Sequence, residues 1–289
     1  MPVDDLNDRV VITHGNNTAT ILKHGATVIS WVNNGEEQLW LSQGARLDGS
    51  RPVRGGIPLV FPVFGKQKDE HHPTAKLPQH GFARDAEWEL LGQTTEDPVG
   101  AEFGLAGGRS DWPYKFSLIL SVTLANDKLA MAIDVKNEDE QEFDFQWLFH
   151  TYLRVPDITD VLVTNLAGQH CDDRVVNAGY TEKAPAVAIT GECDRMYVGV
   201  EDRTVQVLDK GRVLFSLARK NLPDVVVWNP WDKKAEAMAD FAPKQGFHEM
   251  ICVEPGHAAT MVVLPPGGTW SAAQEIAVGG EISLQGGIF

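Results

Sequence analysis

The feature that most constrains this chain is a strict alternation of apolar and polar side chains on both sides of one short turn. Between residues 116 and 124, Phe116, Leu118, Leu120, Val122 and Leu124 fall on one face, and Ser117, Ser121 and Thr123 on the other. After Asn126-Asp127 the period of two resumes in Leu129, Met131, Ile133 and Val135. That period belongs to half-buried β-strands, so the stretch is predicted to be a hairpin with one face on a core. Further strands are predicted at 27–32, 37–41, 143–152, 161–165, 204–208, 212–217, 225–228, 250–254 and 260–264. Only 232–240 carries helical character. Many strands at close spacing with few helices imply an all-β, double-sheet architecture. No repeat, low-complexity tract or long linker interrupts the chain, so residues 1–289 are expected to form a single domain. The segment 42–78, rich in proline and glycine, reads as a long irregular loop, and such loops in compact domains are usually functional.

Charge and cysteine usage narrow the possible partners. A formal net charge of −15 argues against nucleic acid and anionic membranes, which demand a basic surface. An acidic chain that binds an anion must gather positive charge locally. The three cysteines, Cys171, Cys193 and Cys252, form no CxxC pair, so neither a disulfide framework nor a structural zinc site is expected. No apolar run reaches the roughly 20 residues of a membrane-spanning helix. The N-terminus shows no signal-peptide pattern, and a cytoplasmic protein is expected.

Several stretches carry residues capable of chemistry. In FDFQWLFHTY, residues 143–152, Phe143, Phe145, Trp147 and Phe149 form an aromatic face, and Asp144, Gln146, Leu148, His150 and Tyr152 the other. His150 therefore stands on the open face of a rigidly backed strand, although a merely hydrogen-bonded histidine fits the same pattern. In MICVEPG, residues 250–256, Glu254 is expected to end an apolar strand before a Pro255-Gly256 turn, as a site residue or as a solvated strand end. Arg54 precedes Gly55-Gly56, whose missing side chains would let a ligand approach. Gln79, His80 and Arg84 follow in LPQHGFAR. Arginines from separate loops can fork around a phosphate through charge-assisted bonds, or simply face solvent. Asp194 can accept from sugar hydroxyls or cap a turn. Trp228 and Trp231 offer stacking surface or core. Adjacent histidines such as His71-His72 point to opposite faces of a strand and match no metal-ligand spacing, so no metal site is expected.

Together these stretches resemble the hexose-6-phosphate mutarotases, the phosphosugar branch of the aldose 1-epimerase group. The matching segments are VRGGIPLVFPVFG at 53–65, LPQHGFAR at 77–84, the strand ending in His150, Asp194-Arg195-Met196-Tyr197, VWNPW at 227–231 and Glu254-Pro255-Gly256, in the family's order. The resemblance implies a large antiparallel β-sandwich of the galactose mutarotase type, with the catalytic groups on a concave face. It implies His150 as general acid and Glu254 as general base. Arg54, Gln79, His80, Arg84 and Asp194 become substrate ligands, while Arg51 lies outside the core motif. It implies a small-molecule hexose 6-phosphate as partner, no cofactor, and a monomer. Anomer exchange needs no redox step: the anomeric hydroxyl loses a proton, the ring oxygen gains one, and the ring opens and recloses at C1. Mutual attraction would hold Glu254 charged and His150 protonated near neutrality, giving a bell-shaped pH–rate profile. The alternatives are an epimerase of unphosphorylated hexoses and a non-catalytic sugar-binding protein on the same fold.

Overall fold

The structure is a computed structural model that describes residues 2–279, so the ends of the 1–289 span lie outside the described residues. Three antiparallel sheets carry the described strands. The N-terminal sheet is a meander of 5 strands from Val3–Asp5 to Glu36–Glu37. A 9-stranded sheet contains the predicted hairpin, Trp112–Leu124 paired with Lys128–Asn137 in the register Leu129↔Leu124 to Asn137↔Phe116. An 8-stranded sheet holds Phe143–Phe149, Cys193–Val198, Asp224–Asn229 and Met250–Leu264. No helix among the described residues is long and apolar enough to cross a membrane.

The hairpin's alternation translates directly into packing. Leu118, Leu120, Val122, Leu129 and Met131 are fully buried in the main core. Phe143, Phe145, Trp147 and Phe149 from the 8-stranded sheet join that same core, as do Ile251 and Val253. Burying a large apolar side chain contributes about 1.5–3 kcal/mol, so this sheet-on-sheet layer is the main cohesive element. Because successive side chains alternate, Leu148, Tyr152, Met196, Val226, Trp228 and Cys252 face away from it and form a second cluster. The 8-stranded sheet is thus covered on both faces.

Several expectations need correction. Glu254 does not end a strand: Met250–Leu264 runs unbroken through Pro255-Gly256. Val253 N–H donates to Thr151 O at 3.2 Å, and Pro255, two residues on, turns its donorless nitrogen to the same side, where the neighbouring strand is interrupted at His150-Thr151. A Cβ on Gly256 would lie 2.9 Å from Leu148 Cβ, so only glycine allows the neighbouring strand this close. The predicted 143–152 strand accordingly divides into Phe143–Phe149 and Tyr152–Arg154. Gly55 and Gly56 serve the chain rather than a ligand. Both have positive φ, and a Cβ there would meet Trp40 O at 2.5 Å and Val28 O at 2.2 Å. The helix runs Trp231–Ala237, and 37–41 is held by isolated bridges beyond Glu37. The long loop region does stay irregular apart from Leu59–Val60.

Candidate active site

The site grows from the second face of the 8-stranded sheet. Direct cross-strand pairs place Asp194, Trp228, Cys252 and Tyr152 in one row across four strands. Met196, Val226 and Glu254 form the next row. His150 enters from the break that follows Phe149, its N–H donating to Pro58 O at 3.0 Å. Its ring stacks on Tyr152 at 4.8 Å between centroids, and Trp228 stands edge-on at 6.1 Å. The break thus turns a residue of the sheet into a fixed projection over it.

A cavity of about 690 Å³ opens above these rows, lined by His150, Glu254, Arg54, Gln79, His80 and Asp194 among others. A neighbouring cavity of about 380 Å³ is lined by Arg51, Arg84, Tyr152 and Asp240 and shares Arg54 and His150 with the first. His150, Glu254, Arg54, Gln79, His80, Arg84 and Asp194 therefore all line one or other of two adjoining cavities, the two arms of the cleft. Arg51 lines its smaller arm. Trp231 packs instead against Phe247 at 5.3 Å.

His150 Nδ1 lies 3.3 Å from Glu254 Oε1, yet the two are not aligned as a hydrogen bond, and Nδ1 and Glu254 Oε2 are buried without partners. A buried carboxylate oxygen with nothing to accept from is costly, which marks a place held for another molecule. Burial drives the Glu254 carboxyl well above the ordinary range; Asp194 adds to this and Arg174 opposes it. Burial also holds the His150 imidazole well below its usual value, with His80, Arg84 and Arg54 pushing the same way. Burial therefore acts against the mutual attraction expected of this pair. Desolvation pushes both groups toward their uncharged forms.

The surrounding groups are held in place. His80 Nδ1 accepts from Gly65 N–H at 3.1 Å, which puts the ring proton on Nε2; the Gln79 side-chain amide lies 3.2 Å from it and accepts that proton when its oxygen is turned to the ring. Burial, followed by Arg84 and Arg174, lowers its pKa to about 3, so it stays a neutral donor. Arg54 is bound at 3.2 Å by both Asp240 and the Tyr152 hydroxyl. Arg84 donates to Gln79 O at 2.5 Å, its Nε has no hydrogen-bond partner, and it forms no ion pair among the described residues. Asp194 sits 3.6 Å from Arg174, and burial raises its pKa against the pull of Arg174 and Lys234. His150, Cys252 and Glu254 bring a nitrogen, a sulfur and an oxygen within 4.8 Å. Burial pushes the Cys252 thiol well up, however, which disfavours the thiolate a borderline-soft metal needs. His72 pairs with Asp144 at 3.0 Å, away from this cleft.

Sequence reasoning missed Arg174, Lys66, Lys68 and Lys234 as cleft residues. Lys66 and Lys68 follow the 53–65 motif directly, whereas Arg174 and Lys234 sit on distant segments that only the fold brings to them. Tyr152 had a usable signal, since it shares the face of His150 by the period of two.

The aldose 1-epimerase family profile spans residues 8–277 of this chain. The chain belongs to that family. It is 33% identical over 278 residues to a Cenchrus ciliaris protein provisionally named glucose-6-phosphate 1-epimerase, covering 91% of this chain and 82% of the other. An Escherichia coli protein of the same provisional name is 29% identical over 263 residues, 89% and 85% covered. Among solved structures, a Salmonella typhimurium protein provisionally described as a mutarotase superposes with a TM-score of 0.84 at 25% identity, covering 96% of this chain and 93% of that one. The family's galactose mutarotase-like sandwich agrees with the sheets described above.

Proposed function

We propose that this protein interconverts the α and β anomers of hexose 6-phosphates, chiefly glucose 6-phosphate, with His150 and Glu254 as its proton-transfer pair. The observation that carries this reading is the buried His150–Glu254 pair, its inward oxygen and nitrogen left without partners, set beside Arg54 and Arg84. Glu254 takes the proton of the anomeric hydroxyl while His150 gives one to the ring oxygen. The C1–O5 bond opens to the aldehyde, C1 turns, and the ring closes with the roles reversed. Desolvation favours the uncharged pair, which differs from the working ion pair by one proton transfer. A phosphate dianion beside Arg54 and Arg84 cancels the positive field that, after burial, holds His150 down. Binding of the substrate thus favours the charged pair. Each positioned proton transfer supplies roughly 10²–10⁴-fold.

Asp194, Gln79 and the Nε2–H of His80 point to the sugar hydroxyls, and Trp228 offers a face for the ring. Arg84, which has no ion pair among the described residues, supplies the phosphate contact that separates this chain from an epimerase of free hexoses. The deciding experiment is two-dimensional NMR exchange on glucose 6-phosphate and on free galactose, with and without protein. Acceleration of glucose 6-phosphate well above galactose is expected. Equal acceleration would shift the reading to a general aldose 1-epimerase, and binding without acceleration to a non-catalytic sugar-binding protein.

A further inference from the structure

Cations flank the pair on two sides, and a single phosphate uses only one of them. Arg51, Arg54 and Arg84 line the smaller arm of the cleft. Lys66, Lys68, Arg174 and Lys234 line the larger. The two groups bear on different members of the pair: Arg84 and Arg54 act on His150, whereas Arg174 acts on Glu254. Arg174 is held by the Phe64 ring at 4.6 Å as well as by Asp194, and Lys234 by Glu192 at 3.0 Å. Lys66 Nζ donates to Leu77 O at 2.7 Å, and among the described residues neither it nor Lys68 pairs with a carboxylate. In a chain of net charge −15, a second concentration of lysine and arginine in the same cleft is a local anion field rather than a general property of the surface.

An aldohexose 6-phosphate carries charge on one side of its anomeric bond only. A ketohexose 1,6-bisphosphate carries it on both. Its anomeric carbon is C2, with the C1 phosphate on the exocyclic side, and the C6 phosphate lies beyond C5 on the ring-oxygen side. We propose that the cleft also takes ketohexose 1,6-bisphosphates and interconverts their anomers at C2, with the second phosphate held by Lys66, Lys68, Arg174 and Lys234. The inference rests on the acid–base reading of His150 and Glu254. The step balances as it does for the aldose. The C2 hydroxyl proton passes to Glu254, a C2=O bond forms, the C2–O5 bond breaks with its electron pair going to O5, and O5 takes a proton from His150. Rotation about C2–C3 and reclosure by the reverse transfers complete the exchange, with nothing consumed.

The test is exchange NMR on fructose 1,6-bisphosphate and on glucose 6-phosphate, for the native chain and for the Lys68→Ala variant, which leaves the Lys234–Asp194 pair in place. The native chain is expected to accelerate both sugars. The variant is expected to lose about 10-fold or more in kcat/KM on the bisphosphate, the scale of a lost charge-assisted contact, while glucose 6-phosphate changes less than about twofold. Acceleration of glucose 6-phosphate alone overturns the bisphosphate inference and leaves the acid–base reading standing. Parallel losses on both sugars overturn it too, because Lys68 would then serve the single phosphate. Acceleration of neither sugar sinks the acid–base reading and this activity with it.

Discussion

Two buried carboxylates on one sheet meet opposite fates. Asp224 and Glu254 lie on neighbouring paired strands and are 2% and 1% exposed. Asp224 accepts from the backbone of Gly199 at 3.1 Å and of Ala258 and Ala259 at 2.8 Å each. Glu254 has His150 at 3.3 Å, out of hydrogen-bond alignment, and an Oε2 with no partner. Asp224 is a rivet that ties a strand to its neighbours, whereas Glu254 is buried at a cost that folding alone does not explain. Burial by itself does not mark a functional carboxylate; unsatisfied burial facing a cavity does.

The largest expected effect separates the two in activity. Glu254→Gln should lower anomer exchange of glucose 6-phosphate by about 100- to 10,000-fold, and His150→Asn by a similar factor. Full activity in either variant, measured by exchange NMR, would remove the contrast. Asp224→Ala should instead cost about 3 kcal/mol of stability, because three backbone N–H groups, that of Ala258 buried, lose their acceptor. Denaturant unfolding measures it, and an unchanged midpoint would show that Asp224 is no rivet. Arg84→Ala should reduce kcat/KM on glucose 6-phosphate by about 10- to 100-fold while leaving free galactose nearly unaffected. Equal losses on both substrates would deny Arg84 a phosphate role.

Smaller effects concern pH. Burial raises the folded pKa of Glu254 above its ordinary 4.5, so its contribution to stability is complete below that value and declines as pH rises through the folded one. At pH 8, Glu254→Gln, which cannot ionise, should therefore unfold at a higher temperature than the native chain, by about 2–4 °C per kcal/mol relieved. A lower melting temperature would mean that the carboxylate is better satisfied than its geometry shows. Because burial depresses His150, the acid limb of kcat/KM should fall below its ordinary 6.5. A limb at or above that value would show that burial does not depress His150.

Legibility in the sequence followed local periodicity. The hairpin of Trp112–Leu124 and Lys128–Asn137 was readable because each inward residue is apolar and each strand has one buried face. The four aromatics of Phe143–Phe149 likewise announced their core face and thereby the opposite face of His150. The N-terminal meander and the strand Met250–Leu264 were less legible. Covering the 8-stranded sheet on both faces erases the alternation near Glu254, and Pro255-Gly256 mimics a turn. Only the paired break at His150-Thr151 explains why a proline is tolerated there.

By itself the sequence determined the all-β class, the apolar and polar faces of its clearest strands, and, through motifs in order, the family and the residues to watch. These depend on side-chain period and on short segments whose order survives folding. The tertiary structure alone decided how deeply the His150–Glu254 pair is buried, and with it the desolvation that disfavours both charges. It also brought Arg174, Lys66, Lys68 and Lys234 to the same cleft as Arg54 and Arg84. Solvation and long-range charge depend on distances between segments far apart in the chain, and no local pattern encodes them.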